Sequence, residues 1–538
     1  EQCSSLFRKA PRAIARVTAV LAICAILPTF GTPAASAADA TMPEQISSWP
    51  VITQRQSSTP LPVTAGVQYS DETISTVAGR ETTQSLDVDL DNPNVRLGIV
   101  SAGDKIVNPQ GETVSSMATR SGAVAGINGG TYDINASGQL NQGEIIDGEI
   151  WKSPLNGFEG SIGITRDGKV VIGQQSFSGT IAVNGNKHEL KSINWVSDAA
   201  NKQITQITHR LGQVDSQYFG GNKLIVRGTS SDKGASFTVE SIDTADHIDQ
   251  LKDNEYGLLA SGDTNDEANV WIRNTIHVGD TVLLSGKVTP NDDLNLFMSG
   301  FDILLKDGKD HKDFSGDTSL APRTAIGMTA DGHMIMATFD GHRNTDTAVG
   351  ATYAQVQHYL ASRGVTDAIS LDGGGSTTMV ARMPGDTAAT VRNTPSDGQE
   401  RNVANGFFIY TNAPSNGRPQ AVHINADKAF TTAAGSTVPL SVYAVDSAQN
   451  PTSAQPVTVT VKPSTLGTYK DGMFTASSSG KGTITAVAGD ASASIDLTVN
   501  DSFASLTLSP NDLNLLNGQT GKLKLQGQPT DSSGKLDI

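Results

Sequence analysis

The chain has 538 residues, 17% of them charged and 5% aromatic, with 54 glycines and a formal net charge of −16. So little charge with so much glycine excludes a coiled coil. Hydrophobic residues, 37% of the total and spread throughout, exclude wholesale disorder, and the acidic balance lacks the basic footprint of a nucleic-acid binder. Two cysteines cannot build a disulfide framework or a cysteine-rich zinc site.

In chain order, residues 1–37 read as an export signal. Arg8, Lys9, Arg12 and Arg16 precede an apolar run at 17–27, and Ala35-Ser36-Ala37 supplies an A-x-A cleavage site. That run is too short to span a bilayer. Cys3 and Cys24 both fall inside the signal, so the exported chain is expected to be cysteine-free, which fits a bacterial secreted protein. Residues 38–62 look like a flexible lead-in. From 63 to 412, short strand-like runs (85–90, 95–100, 123–128, 161–165, 169–173, 281–286) alternate with turns, including Asp-Gly pairs at Asp147, Asp167, Asp307 and Asp331. One stretch is helical in pattern: Thr352 is a suitable N-cap, Tyr353, Val356 and Leu360 share a face, and Arg363-Gly364 is a stop. A buried strand at 368–371 follows. The predicted class is α+β, a mixed, strand-rich catalytic domain followed by all-β sandwich domains.

A linker at 413–420, with Pro414 and Pro419, leads into a tail of different character. Residues 421–500 carry strand patterns at sandwich spacing (438–445, 457–461, 482–489, 494–499). Gly435 answers to Gly518 and Asp446 to Asp531, a repeat of about 83–85 residues. These segments resemble bacterial Ig-like repeats of cell-surface proteins. Residues 501–538 then form the truncated start of a second Ig-like domain, with more sequence expected beyond Ile538.

Metalloprotease, phosphate-loop, nucleophile-elbow and dinucleotide motifs do not occur. Four other segments carry chemistry. Asn128-Gly129-Gly130 ends an apolar strand. Pro322-Arg323-Thr324 opens another, ahead of Asp340-Gly341-His342-Arg343. Asp372-Gly373-Gly374-Gly375-Ser376 follows the buried strand at 368–371. Arg392-Asn393-Thr394 precedes Glu400-Arg401-Asn402-Val403-Ala404-Asn405. Taken singly, the glycines read as turns, the aspartates as turn caps and Glu400-Arg401 as a surface pair. Together, an acid at a buried strand end, three glycines and free guanidinium groups suit an anion: glycines offer backbone donors, and Arg323 and Arg401 a grip on phosphate or carboxylate.

In this order, G-I-N-G-G-x-x-D, P-R-T-A-I-G, D-G-x-R, L-D-G-G-G-S-T-T-M and E-R-x-V-A-N resemble the phosphodiester glycosidase family over residues 63–412. The sequence departs from the expected pattern at Thr131-Tyr132, where an aromatic pair is expected. The resemblance implies hydrolysis between a sugar anomeric carbon and a phosphodiester oxygen. On that reading Asp372 or Glu400 is base or nucleophile, and Asp340 is a second acid or binds sugar hydroxyls. Arg323 and Arg401 hold phosphate, while Asn128, Gly129, Gly130, Gly373, Gly374, Gly375, Ser376, Arg343 and Asn405 line the substrate site. No metal or other cofactor is expected, although the Asp-rich stretch 307–317 could hold a structural calcium without a known loop spacing. The expected partner is a cell-wall or capsular glycan or glycosyl-phosphate polymer, met outside a bacterial cell, with peripheral wall association through the Ig-like domains. Two alternatives stay open: a glycosidase of the same fold acting on ordinary polysaccharide linkages, and a non-catalytic surface adhesin.

Overall fold

In the computed structural model the described residues are 15–17, 43–58, 60–155, 160–341, 348–384, 386–424, 429–452, 456–509, 513–515, 524–530 and 536–537. The export signal expected at 1–37 lies outside them apart from 15–17, a short strand paired with Leu513–Leu515. The chain divides into two compact units, one of Met42–Ser415 with Ala448–Asn450, the other of Glu1–Thr41, Asn416–Ser447 and Pro451–Ile538.

The larger unit is built from short antiparallel strands, as its alternating pattern and turn residues require. The elements that position the site are β1 (Val67–Thr76), β2 (Gly79–Asp89), β3 (Val95–Ser101), α1 (Val114–Ser121), β4 (Ala125–Asn128), β5 (Glu144–Ile146), β6 (Glu149–Lys152) and β7 (Ser161–Thr165). After a long insertion come β8 (Leu294–Ser299), β9 (Ile303–Lys306), β10 (Arg323–Thr329), β11 (His333–Phe339), α2 (Tyr353–Ser362), β12 (Val365–Ser370), β13 (Met379–Ala381) and β14 (Asn405–Thr411). One sheet runs β1-β2-β11-β10-β12-β9, with short strands extending both edges. A second contains β13-β4-β14-β3, and a third β7-β8-β5-β6.

The middle strands β10 and β11 are buried on both faces, which is why they read as near-continuous apolar runs. Along β11, Met334 and Met336 join the core shared by all three sheets, with Ile127, Ile162, Leu296, Ile369 and Phe407. Ile335, Ala337 and Phe339 point the other way, onto Val356, Tyr359 and Leu360 of α2. That helix forms where the sequence predicts it. Thr352 closes a capping box, its hydroxyl accepting from Gln355 N (3.2 Å) while the Gln355 side chain accepts from Thr352 N (2.8 Å). Asp147-Gly148 and Asp307-Gly308 have positive φ at both positions, the hairpin geometry their sequences call for.

The insertion between β7 and β8 folds as a separate eight-stranded sheet from Ser176–Val183 to Thr281–Thr289. A helix, Glu267–Thr275, covers it, placing Ala268 and Ile272 among Leu224, Phe237 and Leu258.

The smaller unit is all-β. A four-stranded sheet (Phe430–Ala433, Ala491–Asn500, Gly480–Ala488, Thr458–Lys462) and a three-stranded one share a core of Ile424, Leu440, Phe474, Ile484 and Leu497. The single run expected at 438–445 is split into Thr437–Pro439 and Val442–Val445. Pro439 brings no N–H to a ladder, and the next amide, Leu440 N, turns away to Gly472 O (2.9 Å). Phe503–Ser509, Lys524–Pro529 and Leu536–Asp537 form a further three-stranded sheet.

Because β10, β11 and β12 are antiparallel neighbours, the start of β10 lies beside the ends of β11 and β12 (Arg323 opposite Phe339, Ala325 opposite Ser370). In the second sheet the end of β4 meets the starts of β13 and β14 (Ile127 opposite Met379, Asn128 opposite Gly406). Asn128 ties these two ends together. Its Oδ1 accepts from Thr324 Oγ1 (2.8 Å) and Thr378 N (3.1 Å), and its Nδ2 donates to Asp372 O (2.8 Å). The residue is completely buried. Asn128→Ala strands the Thr378 amide and the Asp372 carbonyl and leaves the Thr324 hydroxyl only its bond to Thr377 Oγ1 (3.3 Å), so we expect it to cost about 3 kcal/mol or more in urea unfolding. A loss under about 1 kcal/mol would show that water replaces the tie.

Candidate active site

Asp372 leaves the end of β12 and is half-buried. Its amide donates to Gly129 O (3.0 Å), which fixes the backbone before the glycine triplet. Gly374 has φ +61 and faces open space, while Gly375 is packed: a Cβ there would lie 1.9 Å from Arg401 Nη2 and 2.3 Å from Asp397 Oδ2. The glycine therefore lets the Arg401 guanidinium rest on the backbone, where Asp397 holds it at 2.7 Å. Burial raises the Asp372 pKa; Ser376, the Arg401 charge and the Gly373 N–H oppose that rise. Ser376 Oγ is fully buried and makes no well-formed hydrogen bond, yet it lies close enough to Asp372 and the Tyr132 hydroxyl to hold both pKa values down.

Within the Gly-Gly-Gly loop, part of the backbone is used internally. Gly374, Ser376 and Thr377 donate to Pro322 O (2.9 Å), Gly373 O (3.2 Å) and Gly374 O (3.2 Å), because a short 3-10 turn closes over Gly374–Ser376. The charge opposite an anion here comes from Arg401.

The Asn-Gly-Gly loop backs this cluster. A Cβ on Gly129 would fall 2.0 Å from Asn405 Oδ1, and one on Gly130 2.2 Å from Ser299 O, so both must be glycine. Asn405 accepts from Gly130 N through Oδ1 (3.1 Å) and donates to Glu144 Oε1 (2.7 Å). The other Glu144 oxygen takes the Ser101 hydroxyl. Complete burial pushes Glu144 up to about 7 and its cross-strand partner Lys152 down to about 7. Lys152 Nζ lies 3.8 Å from the centre of the Trp195 ring and donates to Gln139 Oε1 (3.1 Å). A cavity of about 360 Å³, lined by Tyr132, Asp133, Leu140, Lys152 and Trp195 among others, opens beside Tyr132. Tyr132 thus stands between this space and the Asp372 cluster.

The remaining sequence-predicted residues are held elsewhere. Glu400 accepts from Ser115 N (2.8 Å) and Ser115 Oγ (2.5 Å), an acid placed at the N-terminus of α1 where the helix dipole favours it. Asp340 is buried, accepting from Gln84 Nε2 (3.1 Å) and Thr394 N (2.9 Å). It is linked through the Arg392-Asn393-Thr394 segment to the strand after the glycine loop, since Asn393 bonds Met379 N (2.9 Å) and Thr377 O (2.9 Å). Burial raises the Asp340 pKa, and that of neighbouring Glu81 well above the usual range. Arg323 adjoins Gly373 but donates to Ala351 O (3.0 Å) and Ser319 O (2.8 Å), with its guanidinium 3.9 Å from the Tyr353 ring centre. Arg343 lies outside the described residues. In the stretch 307–317, Asp310 meets His358, Asp313 caps Ser315 N, and Asp317 accepts from Tyr353 N (2.9 Å). Among the described residues, no group of three or more His, Cys, Asp or Glu side chains is disposed to hold a metal.

Sequence reasoning gives Tyr132 no role and omits Glu144, Lys152 and Trp195. Tyr132 had a signal, lying two residues past the Gly pair. Glu144 and Lys152 had none, because burial of charge is invisible in sequence.

Gly375→Ala is expected to displace Arg401 and lower kcat/KM at least about tenfold, with unfolding free energy changed by less than the loss at Asn128. Unaltered kinetics would show that the Arg401 position does not matter. Asp372 is raised in pKa, so activity that needs its ionised form rises with pH through a limb above the usual Asp value of about 3.9. Ser376→Ala removes a pKa-lowering contact and should move that limb to still higher pH; a limb that stays or falls contradicts the contact.

Residues 240–410 match the sequence profile of the family described as phosphodiester glycosidase. A comparison with curated proteins finds no match. Among solved structures, a Burkholderia pseudomallei protein is 15% identical at a TM-score of 0.53, covering 66% of this chain and 96% of its own. A Synechocystis protein is 16% identical at a TM-score of 0.50, covering 64% of this chain, and the match spans only 62% of that protein. The zebrafish N-acetylglucosamine-1-phosphodiester alpha-N-acetylglucosaminidase catalytic domain is 16% identical at a TM-score of 0.35, covering 66% of this chain and 89% of its own. The first two share the fold. The profile match includes the segments bearing Arg323, Asp340, Asp372 and Arg401, and leaves Asn128-Gly129-Gly130 outside it. The similarity to phosphodiester glycosidases at the sequence level lies in residues 240–410.

Proposed function

We propose that this protein hydrolyses the bond between a sugar anomeric carbon and a phosphodiester oxygen in cell-wall or capsular glycans. The observation that carries the reading is one half-buried carboxyl, Asp372, beside one guanidinium, Arg401, seated on Gly375. The carboxyls of Glu400 and Asp340 are occupied in other networks. Cleavage of an ordinary glycoside uses two carboxyl groups, because an alkoxide must be protonated as it leaves. A phosphate leaving group is a far weaker base and needs its charge met rather than a proton supplied.

In this scheme Asp372 takes a proton from water as the water oxygen bonds to the anomeric carbon. The carbon–oxygen bond to phosphorus breaks, and its electron pair departs with the phosphate, now a monoester opposite Arg401. Asn128, Gly129, Gly130 and Asn405 hold the wall behind Asp372, and Asp340 and Glu400 act as positioning residues. Tyr132 and the cavity containing Lys152 and Trp195 accommodate the sugar. The basic and apolar leader at 1–37 supports action outside a bacterial cell, and the C-terminal β unit supports peripheral attachment to the wall.

Asp372→Asn should lower kcat on a sugar-1-phosphodiester by about 10²–10⁴-fold without changing the fold, read as released reducing sugar and phosphate monoester. Near-normal turnover would end the assignment. The wild-type protein should leave alkyl glycosides of the same sugar intact, and brisk cleavage of them would favour the ordinary glycosidase.

A further inference from the structure

A second cavity, larger than the one beside Tyr132, measures about 790 Å³ and lies where the inserted sheet faces the β5–β6 hairpin, within the range of sites that take small ligands. Its walls carry three cationic side chains (Arg166, Arg210, Lys233) and three anionic ones (Asp147, Glu149, Asp253), so its lining is balanced in charge. Glu149 and Arg210 pair at 2.9 Å, and the guanidinium lies 4.2 Å from the Trp151 ring centre. Both side chains keep solvent-exposed surface, 41% and 28%. Burial and the Arg210 charge lower the pKa of His209, whose Nδ1 is buried without a hydrogen-bond partner.

Two aromatic rings complete the lining, and glycines make room for both. A Cβ on Gly234 would lie 2.3 Å from the Tyr256 ring, and one on Gly286 2.5 Å from Phe177. The cavity thus combines flat apolar surface with adjacent donors and acceptors and no excess of either charge. An anion would meet three carboxylates, and a cation would meet three basic groups. Hydroxyl groups both donate and accept, so they can bridge the Glu149–Arg210 edge, while sugar C–H faces stack on aromatic rings.

We propose that this cavity is a second, non-catalytic glycan site that binds an uncharged sugar residue, separate from the Asp372 cluster. It would hold a polymer at a point away from the scissile bond and so raise the effective concentration of the chain at the active site. The inference concerns neutral-sugar binding and stands whether or not the phosphodiester chemistry is right.

The test uses the full chain and three neutral disaccharides (maltose, cellobiose and N,N′-diacetylchitobiose), with saturation-transfer NMR and calorimetry reading binding. At least one is expected to bind in the millimolar range. Ser285→Trp, at an exposed lining position, should weaken that binding at least about tenfold, Asp372→Asn should leave it unchanged, and Ser285→Trp should keep turnover of a small soluble sugar-1-phosphodiester. Lys233→Trp, also exposed, is the second blocking variant should the first fail to fold. The proposal is overturned if none of the three sugars binds, if binding survives the folded blocking variant, or if binding disappears with Asp372→Asn.

Discussion

One buried amide sets the geometry of the candidate site. Asn128 has no exposed surface, and its side chain reaches the start of β10, the start of β13 and the carbonyl of Asp372. Thr324 lies in β10, Thr378 just before β13 and Asp372 just after β12, so the bonds reach the ends of two sheets. One backbone bond, Asp372 N to Gly129 O, crosses between the sheet ends, and the Asn128 side chain adds the rest of the link. Buried polar groups are costly unless every one is satisfied, and here the satisfaction itself fixes where Asp372 begins. The same logic repeats one layer back: Asn405 joins Gly130 to Glu144, and Glu144 faces Lys152 across the hairpin.

That scaffold explains a division of labour among the polar residues. Side chains that could have reached a substrate are spent on the frame: Asn128 on two sheets, Glu400 on α1, Asp340 on the segment leading to Asn393, Arg323 on the backbone of two loops. What is left near open space is small and specific. Asp372, Arg401 and Tyr132 cluster around buried Ser376, and Gly374 is the glycine of the triplet that faces free volume. A site with one carboxyl and one guanidinium is matched to a leaving group that already carries charge.

Much of the frame was legible in the sequence. The strand at 161–165, the helix after Thr352 and the Asp-Gly hairpins follow from local pattern, because period, capping and positive φ are local properties. The glycine triplet and Arg401, grouped in the sequence reading, lie in contact in the fold, with Arg401 packed on Gly375. Helix α1 was not read, although Thr113 and Gly122 cap it, because its eight residues bury only Val114, Met117 and Ala118. The roles of Glu400 and Arg323 were also beyond sequence. A carboxylate beside an arginine looks the same whether it faces a substrate or Ser115, and only the fold brings residue 115 to residue 400. The use of the Gly374 amide on Pro322 O was beyond sequence for a related reason: glycine supplies backbone freedom, but the turn it adopts decides where each N–H group goes.

The account rests on Asp372 and Arg401 meeting opposite sides of one scissile bond. A crystal structure of the Asp372→Asn protein with an intact sugar-1-phosphodiester tests this directly. The account predicts phosphate oxygens on the Arg401 guanidinium, the sugar against Tyr132, and a water held by residue 372 at about 3.5 Å or less from the anomeric carbon. A substrate bound with its phosphate away from Arg401, or with Glu400 or Asp340 nearest the anomeric carbon, would contradict it.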